Sequence, residues 1–463
     1  MNLMKDWCRR MNEDLINALP SGWKVIKLGD YAITQKGKKP KKLSKVKTDE
    51  FNIPYVNIKA FEKNEIDEYT DGENCVFCED GDFLMVWDGS RSGYVGKAIK
   101  GAVGSTLVKL NFPGILNEYA YYFLQSKFLE INTRAKGTGT PHVDPSLLWN
   151  YDFPIPPIDE QQRIVDKISE LFSEIEKGLD GLAVIYKQLE VYHYAILKSA
   201  YEGGFTKNWR SQHNISPSFE NLLIKYRGDK KDLSLESLSI NDLIEVPKLP
   251  EQWMLVRMEE CIEQPKYGTS KKCNYEVTKT PVLRIPNIGD IYIDTNDLKY
   301  AEFDEEDFDK YQLREGDVLT IRSNGSISLV GKSALVRKVD EHLFYAGYLI
   351  RLRPKTNIVN PKYLLYALNS GFLRKQIEDK AKSTSGVNNI NSNELKDLII
   401  PICSVQEQEV VIEAIESRLS QCDNIQYVID ESVRKAEALK QSILKKAFEG
   451  KLVLQDSNDE SKN

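Results

Sequence analysis

The sequence predicts an α+β protein built as an internal tandem repeat, in which two mixed α/β globular domains alternate with two long helices that pack on each other. Three observations carry that prediction. The stretch Pro154–Gly203 is written twice, returning as Pro401–Gly450 at a constant offset of 247 residues with no gap. Each copy has the hydrophobic period of one uninterrupted helix. The segments preceding the two copies also match each other, at offsets drifting between 227 and 244 residues, as expected of domains that differ by loop insertions.

The helices come first. One copy opens Phe153-Pro154-Ile155-Pro156-Pro157, reaches Glu160-Gln161, and closes Ala200-Tyr201-Glu202-Gly203. The other opens Ile400-Pro401-Ile402, reaches Glu407-Gln408, and closes Ala447-Phe448-Glu449-Gly450. In the first, Ile168, Ile175, Leu182, Leu189 and Ile196 recur every seven residues, and Ile164, Leu171, Ile185 and Tyr192 fill a second heptad line that Gly178 interrupts. That is the pattern of a coiled-coil seam. The second copy holds Ile415, Cys422, Ile429, Ala436 and Ile443 on one line and Val411, Ile425 and Leu439 on the other, broken by Arg418 and Ser432. A helix of about 43 residues at ~1.5 Å per residue is ~65 Å long, more than one small core needs, so the pair reads as spacer helices.

The globular parts repeat as well. Leu19-Pro20-Ser21-Gly22-Trp23 returns as Leu249-Pro250-Glu251-Gln252-Trp253, and Pro54-Tyr55-Val56-Asn57 as Pro281-Val282-Leu283-Arg284. Gly81-Asp82-Phe83-Leu84 returns as Gly316-Asp317-Val318-Leu319, and Val95-Gly96-Lys97 as Val330-Gly331-Lys332. The expected organisation is an N-terminal extension (1–18), a first domain (19–155), a first spacer helix (156–205) and a connector (206–248) with a short helix near Phe219–Tyr226. A second domain (249–402), a second spacer helix (403–452) and a polar tail (453–463) follow. Apolar and β-branched runs predict strands at Phe51–Ile58, Asp82–Trp87, Pro281–Ile285, Asp317–Arg322, Leu329–Val336 and Leu343–Leu352, and helical spacing predicts Asn117–Arg134 and Pro361–Lys380.

Composition sets bounds. With 463 residues, 41% of them hydrophobic, the chain has room for about three domains. A net charge of −6 does not by itself mark a nucleic-acid binder, though charge can be local. No window is apolar for long enough to cross a membrane, and the N-terminus lacks a signal peptide's apolar core. Seven scattered cysteines fit reduced thiols in a cytoplasm.

Several motifs of chemistry fall short. Gly331-Lys332-Ser333 resembles the end of a phosphate loop, but Gly325 and Gly331 are separated by five residues where the motif needs four. Cys75-Val76-Phe77-Cys78 has the spacing of half a zinc site, without the second half that a closed site requires. No Asn-Pro-Pro-aromatic run for methyl transfer to a base amino group occurs, and the four histidines show no catalytic spacing.

What remains is three pairs of loops at matched places. Lys36-Gly37-Lys38-Lys39-Pro40-Lys41-Lys42 begins a stretch to Lys47 with seven lysines and no acid, and sits where the second half has Tyr267-Gly268-Thr269-Ser270-Lys271-Lys272. Such a run attracts phosphate. After a strand in each half come Asp88-Gly89-Ser90-Arg91-Ser92 and Arg322-Ser323-Asn324-Gly325-Ser326, whose side chains match base-edge donors and acceptors. Before each spacer helix lie a loop carrying Thr138, Thr140 and His142 and one carrying Thr384, Ser385, Asn388 and Asn389. One scaffold reading two different things fits this pattern.

With the repeated openings, the Gly-Asp-x-Leu strands and their loops, the Glu-Gln helix starts and the Glu-Gly helix ends in view, the chain resembles the specificity subunit of a type I restriction–modification system from about Leu19 to Val453. The resemblance implies two target recognition domains, each reading half of a bipartite, asymmetric site in double-stranded DNA. The two helices would then pack antiparallel, fix the half-site spacing and dock two modification subunits that bind S-adenosylmethionine and methylate adenine. Restriction subunits using ATP and Mg²⁺ would join them. This chain would itself be non-catalytic, with no cofactor of its own, and the six loops would be its DNA contacts. On this reading Arg91→Ala or Arg322→Ala relaxes preference at one half-site only. Three other readings stay open at this point: an ATPase or self-contained methyltransferase, a coiled-coil adaptor without base reading, and a specificity component of a defence system lacking restriction subunits.

Overall fold

The computed structural model describes residues 19–137, 139–214, 219, 221, 246–277, 279–381 and 386–455. The chain divides into two compact units, Met1–Ala183 with Asp430–Asn463, and Val184–Ile429. Each unit therefore holds one globular domain and parts of both long helices, which run Ile158–Tyr201 and Val405–Phe448.

In the first unit, strand Lys24–Lys27 pairs antiparallel with Asp152–Ile155, Lys24 opposite Ile155, so the chain re-joins its own start just before the first long helix. A four-stranded antiparallel sheet follows the order Ile33–Lys36, Leu107–Asn111, Phe83–Val86, Val95–Lys97. Phe83–Val86 is buried throughout, which is why it reads as a continuous apolar run. A second sheet orders Tyr69–Thr70, Ile53–Val56, Gly101–Val103 and Phe77–Cys78, with Ile53–Val56 parallel to Gly101–Val103. The core joins Met85, Val108, Tyr119, Phe123 and Phe153 to Ile164 and Ile168 of the first long helix and to Ile443, Leu444 and Ala447 of the second.

The second unit repeats this plan. Met254–Arg257 pairs with Ile399–Ile402, and a four-stranded sheet has the order Lys266–Tyr267, Leu349–Leu352, Val318–Ile321, Ser333–Leu335. In a second sheet, Thr280–Leu283 lies parallel to Phe344–Tyr345 and antiparallel to Lys299–Ala301. Its core includes Leu189, Ile196 and Ala200 of the first long helix with Val411, Ile415 and Cys422 of the second. In both units the start of one helix meets the end of the other, so they pack antiparallel. Glu160 accepts from Gln455 (2.7 Å) and Glu176 from Lys440 (3.1 Å), a pairing that runs in opposite directions along the two stretches of the chain.

The repeated motifs are latches. Trp23 Nε1 donates to Glu160 (3.1 Å) and Trp253 Nε1 to Glu407 (2.9 Å), so each Leu-Pro-x-x-Trp opening ties its domain to the first turn of a long helix. The adjacent glutamines, Gln161 and Gln408, accept from the backbone N–H of Leu116 and of Asn360. At the helix ends the aromatic residue is an anchor: Phe448 packs 5.2 Å from Tyr119, and Tyr201 packs 4.9 Å from Tyr363. The glycine that follows takes a left-handed φ, +72° at Gly203 and +68° at Gly450, the usual device for ending a helix. A Cβ on Gly203 would stand 2.6 Å from Pro250, and one on Gly450 would collide with Pro20. Gly450→Ala therefore adds a clash to an unfavourable φ, and is expected to lower stability by more than about 1 kcal/mol, measurable as a shift in urea midpoint. An unchanged midpoint would remove the latch interpretation.

The structure differs from the sequence expectations at several places. The heptad line Ile168–Ile196 stays buried or half-buried, but on the other line Ile185 and Tyr192 are 44% and 47% exposed, and Ile425 and Leu439 are 45% and 50% exposed. A 3.6-residue turn drifts about 20° per heptad against a seven-residue repeat, enough to carry that line off the buried face. The expected strand Leu329–Val336 is a 3-10 turn at Ile327–Leu329 and a strand only at Ser333–Leu335, because Gly331 turns at φ +82°. Leu343–Leu352 is two strands, Phe344–Tyr345 and Leu349–Leu352. Pro361–Lys380 is two helices that meet at Ser370, whose extended backbone and hydroxyl cap the second. Phe51–Ile58 is a strand only over Ile53–Val56, since Asn57 caps a helix starting at Ile58. In the connector a helix forms at Lys207–Gln212. The helix expected near Phe219–Tyr226, the N-terminal extension and the end of the polar tail lie wholly or largely outside the described residues.

Candidate nucleic-acid interface

Each domain folds its three candidate loops onto one another. In the first, strand Ile33–Lys36 ends where Gly37 lies against the carbonyls of Val103 and Gly104, closely enough that no Cβ would fit. Gly268 sits against the Tyr345 and Ala346 carbonyls in the same way. Past Gly37 the chain leaves the sheet, and Lys38, Lys39 and Lys41 are exposed. Lys36 donates to Asp88 (2.9 Å), while Lys42 lies 3.6 Å from Glu50 and 3.7 Å from Asp71. Asp88 bridges to His142, and the Gly89 N–H donates to Pro141 O (2.8 Å). Lys36, Asp88 and His142 are thus brought together, with Thr140 exposed beside them in sequence. Lys136 pairs with Asp144 (2.8 Å), and this contact together with Ser146 holds the Asp144 carboxyl down at about 2.

The Asp88–Ser92 loop is pinned from behind, because Asn132 Nδ2 donates to the carbonyls of both Ser90 and Ser92 at 3.0 Å. Ser92 is fully buried, so its expected contact with DNA is not possible from this position. Arg91 pairs with Glu62 (3.2 Å) and lies 4.0 Å over the Tyr94 ring. Its charge is matched within the domain.

The second domain forms an open concavity of about 660 Å³ where its loops meet. Five cations line it, Lys271, Lys272, Arg284, Lys299 and Arg322, with Ser270, Ser323 and Tyr348 and no acid among the lining residues. A chain with a net charge of −6 thus concentrates positive charge locally, the footprint of an anionic partner. Thr269 is buried and accepts from the Lys271 N–H (3.1 Å), so it shapes the wall and does not reach out as expected. Lys271 donates to Asp307, which raises its pKa. Ser323 and Asn324 form a two-residue ribbon with Asn388 and Asn389, and Asn324 Oδ1 accepts from the Ser326 N–H (2.9 Å). Tyr267 supports Arg322, whose Cζ lies 4.7 Å over its ring. Thr138, Thr384 and Ser385 lie outside the described residues.

Arg284 and Lys299 were not among the residues expected from sequence. Arg284 ends a repeated strand at the place where the first half has Asn57, and that exchange of amide for cation was the signal available. The remaining motifs take structural roles. Ser333 is buried and bonded to Thr320 and to Gly331 O, and Lys332 pairs with Asp290, so no phosphate cradle forms. The Cys78 thiol donates to Ile99 O and Gly101 O, and burial pushes it up to about 11. Among the described residues no helix is long and apolar enough to cross a membrane.

Two like units, each holding one domain with converging polar or basic loops against antiparallel stretches of the long helices, are the arrangement expected of a sequence-reading DNA-binding protein. The sequence model of the family described as Type I restriction modification DNA specificity domain matches residues 20–181 and 250–433, well over half of the chain. The chain belongs to this family, and its role is that of a type I specificity subunit, recognition of DNA sequence. It is 26% identical over 351 residues to the EcoKI specificity subunit of Escherichia coli K12, covering 75% of this chain and 67% of that one. It is 25% identical over 449 residues to the MjaVIII specificity subunit of Methanocaldococcus jannaschii, covering 95% of each. The fold is shared with a chain solved in a study of complex assembly and conformational transition of the type I R-M system. That match has a TM-score of 0.63 at 20% identity and covers 94% of this chain and 99% of the other.

Proposed function

We propose that the two domains read the two halves of a bipartite, asymmetric DNA site in the major groove, and that the long helices set the spacing between the halves and dock two modification subunits. The observation that carries this reading is one scaffold with two different loop sets. Strand order, latches and glycine approaches repeat, whereas the exposed Lys38–Lys41 loop of one domain stands where the other has a walled cationic concavity. Supporting the docking role, Val184, Ile185, Tyr186, Val191, Tyr192 and Tyr194 are exposed on the first long helix, a concentration of apolar surface that marks a protein interface. S-adenosylmethionine would be held by the modification subunits, and ATP and Mg²⁺ by restriction subunits, with this chain non-catalytic and working on DNA in the cytoplasm.

The test is co-expression with the adjacent modification subunit in a methylation-free bacterium, followed by mapping of modified bases. A split motif with a fixed gap, methylated on adenine in both halves, is expected. A stable complex that modifies nothing would favour an adaptor without base reading.

The lysine loop gives a second expected result. Lys38, Lys39 and Lys41 form no ion pair among the described residues, unlike Lys36 and Lys42. Replacing all three by Ala should weaken binding to every DNA sequence alike and lower the log–log salt slope by about 2 to 3, from ~0.9 per phosphate contact. Anisotropy titrations across salt concentrations measure this; a changed motif with an unchanged slope would contradict it.

A further inference from the structure

We infer that Arg322 is the guanine reader of the second domain, offering both terminal nitrogens to the O6 and N7 edge of a guanine in the half-site that this domain meets. The inference rests on the proposed DNA reading and adds a base and a residue to it.

Arg322 is held at every point except the one a base would use. Its backbone is fixed on both sides, the N–H donating to Tyr348 O (2.9 Å) and the carbonyl accepting from Ile390 N–H (2.8 Å). Its guanidinium stacks on Tyr267, whose hydroxyl accepts from the Ser392 N–H (2.9 Å). Its Nε donates to Asn389 Oδ1 (3.2 Å), and Asn389 is itself fixed by pairing opposite Ser323. Among the described residues, neither Nη group has a partner and no carboxylate pairs with the charge. The neighbouring cations differ: Arg284 bonds Asp297 through Nη2 (2.7 Å) and Lys271 bonds Asp307. Arg91, at the matching loop of the first domain, is paired with Glu62. Arg322 alone of these four keeps an unmatched charge, in a concavity that no acid lines.

A planar fork with Nε occupied and two Nη groups free fits the paired acceptors of guanine in the major groove. Phosphate offers paired acceptors too, but Lys272 and Lys299, flexible point charges on the same wall, suit phosphate without a fixed plane. Holding the arginine rigid on Tyr267 and Asn389 lowers the ordering cost of a directional contact.

The test uses the full chain assembled with its modification subunit, on the split motif obtained from methylation mapping. In the half-site assigned to the second domain, one guanine replaced by 7-deazaguanine, which keeps O6 and loses only N7, should lower wild-type affinity about 10-fold or more, the cost of one hydrogen bond to a charged group. Arg322→Ala, which removes both donors, should lose at least that factor and become indifferent to the 7-deaza substitution, with the salt slope unchanged. Three results would overturn the inference: a mapped half-site without guanine on either strand, Arg322→Ala still sensitive to the substitution, or an equal loss on all DNA with the slope reduced by about one. The DNA-side substitution leaves the protein intact, so a folding defect in the variant cannot mimic the result. Failure of the underlying reading looks different, since the wild-type complex would then select no split motif.

Discussion

Glu407→Ala should unfold the second unit's latch at a cost of about 3–5 kcal/mol, the usual penalty for removing one member of a buried ion pair. A single carboxylate oxygen, Oε1, accepts from Trp253 Nε1 (2.9 Å), Thr206 Oγ1 (2.6 Å) and Arg210 Nη1 (2.6 Å). The side chains of Glu407 and Arg210 are only 4% and 11% exposed. The alanine leaves the Arg210 charge without its counter-ion and the Trp253 indole N–H without its acceptor in a largely buried site. Arg210 also donates to Gly203 O (2.7 Å), so the end of one long helix, the start of the other and the domain's opening strand loosen together. Urea denaturation followed by tryptophan fluorescence measures the loss. Glu407→Gln should cost less, since an amide oxygen retains the acceptor and gives up only the charge. A Glu407→Ala midpoint within about 1 kcal/mol of wild type would show that the cluster is incidental to stability.

The second large effect concerns the ruler. Removing one heptad from the middle of each long helix should shorten the gap in the methylated motif by about three base pairs, since seven residues at ~1.5 Å span ~10.5 Å and DNA rises ~3.4 Å per base pair. Seven residues turn a helix through nearly two full rotations, so the faces presented at either end stay close to their original orientation. Removing a single heptad from one helix only should abolish assembly instead, because Ile164 and Ile168 pack with Ile443 and Leu444 in one unit and Ile196 with Val411 and Ile415 in the other, and a helix shortened alone cannot keep both. An unchanged gap after the double deletion would mean that something other than these helices sets the spacing.

The architecture was largely legible because it is repeated. A constant offset identifies the two helices without any propensity argument, and the Leu-Pro-x-x-Trp, Glu-Gln and Glu-Gly motifs are visible as words before their contacts are known. Their roles were not legible, since Trp253 meets Glu407 and Tyr201 meets Tyr363 across long stretches of chain. The loops show the same limit more sharply. Arg91 and Arg322 occupy matching places in Gly/Ser loops after matching strands, and spacing treats them alike. Glu62 lies on another helix, and Tyr267 and Asn389 on other loops, so only the fold distinguishes a neutralised arginine from an unmatched one. Some differences are readable in principle: Ser370 is a favoured helix-capping residue, and Gly331 and Gly347 interrupt the apolar runs Leu329–Val336 and Leu343–Leu352.

The presence of Ile443, Leu444 and Ala447 in the first domain's core has a consequence for biosynthesis. The first domain's aromatic centre, Tyr119 and Phe123, meets Phe448 only after the ribosome has made the whole second domain. At about 5–20 residues per second, completion of that core lags the first long helix by roughly 10–50 s. During this interval the nascent protein presents an uncovered aromatic surface, a natural point for a holding chaperone to act.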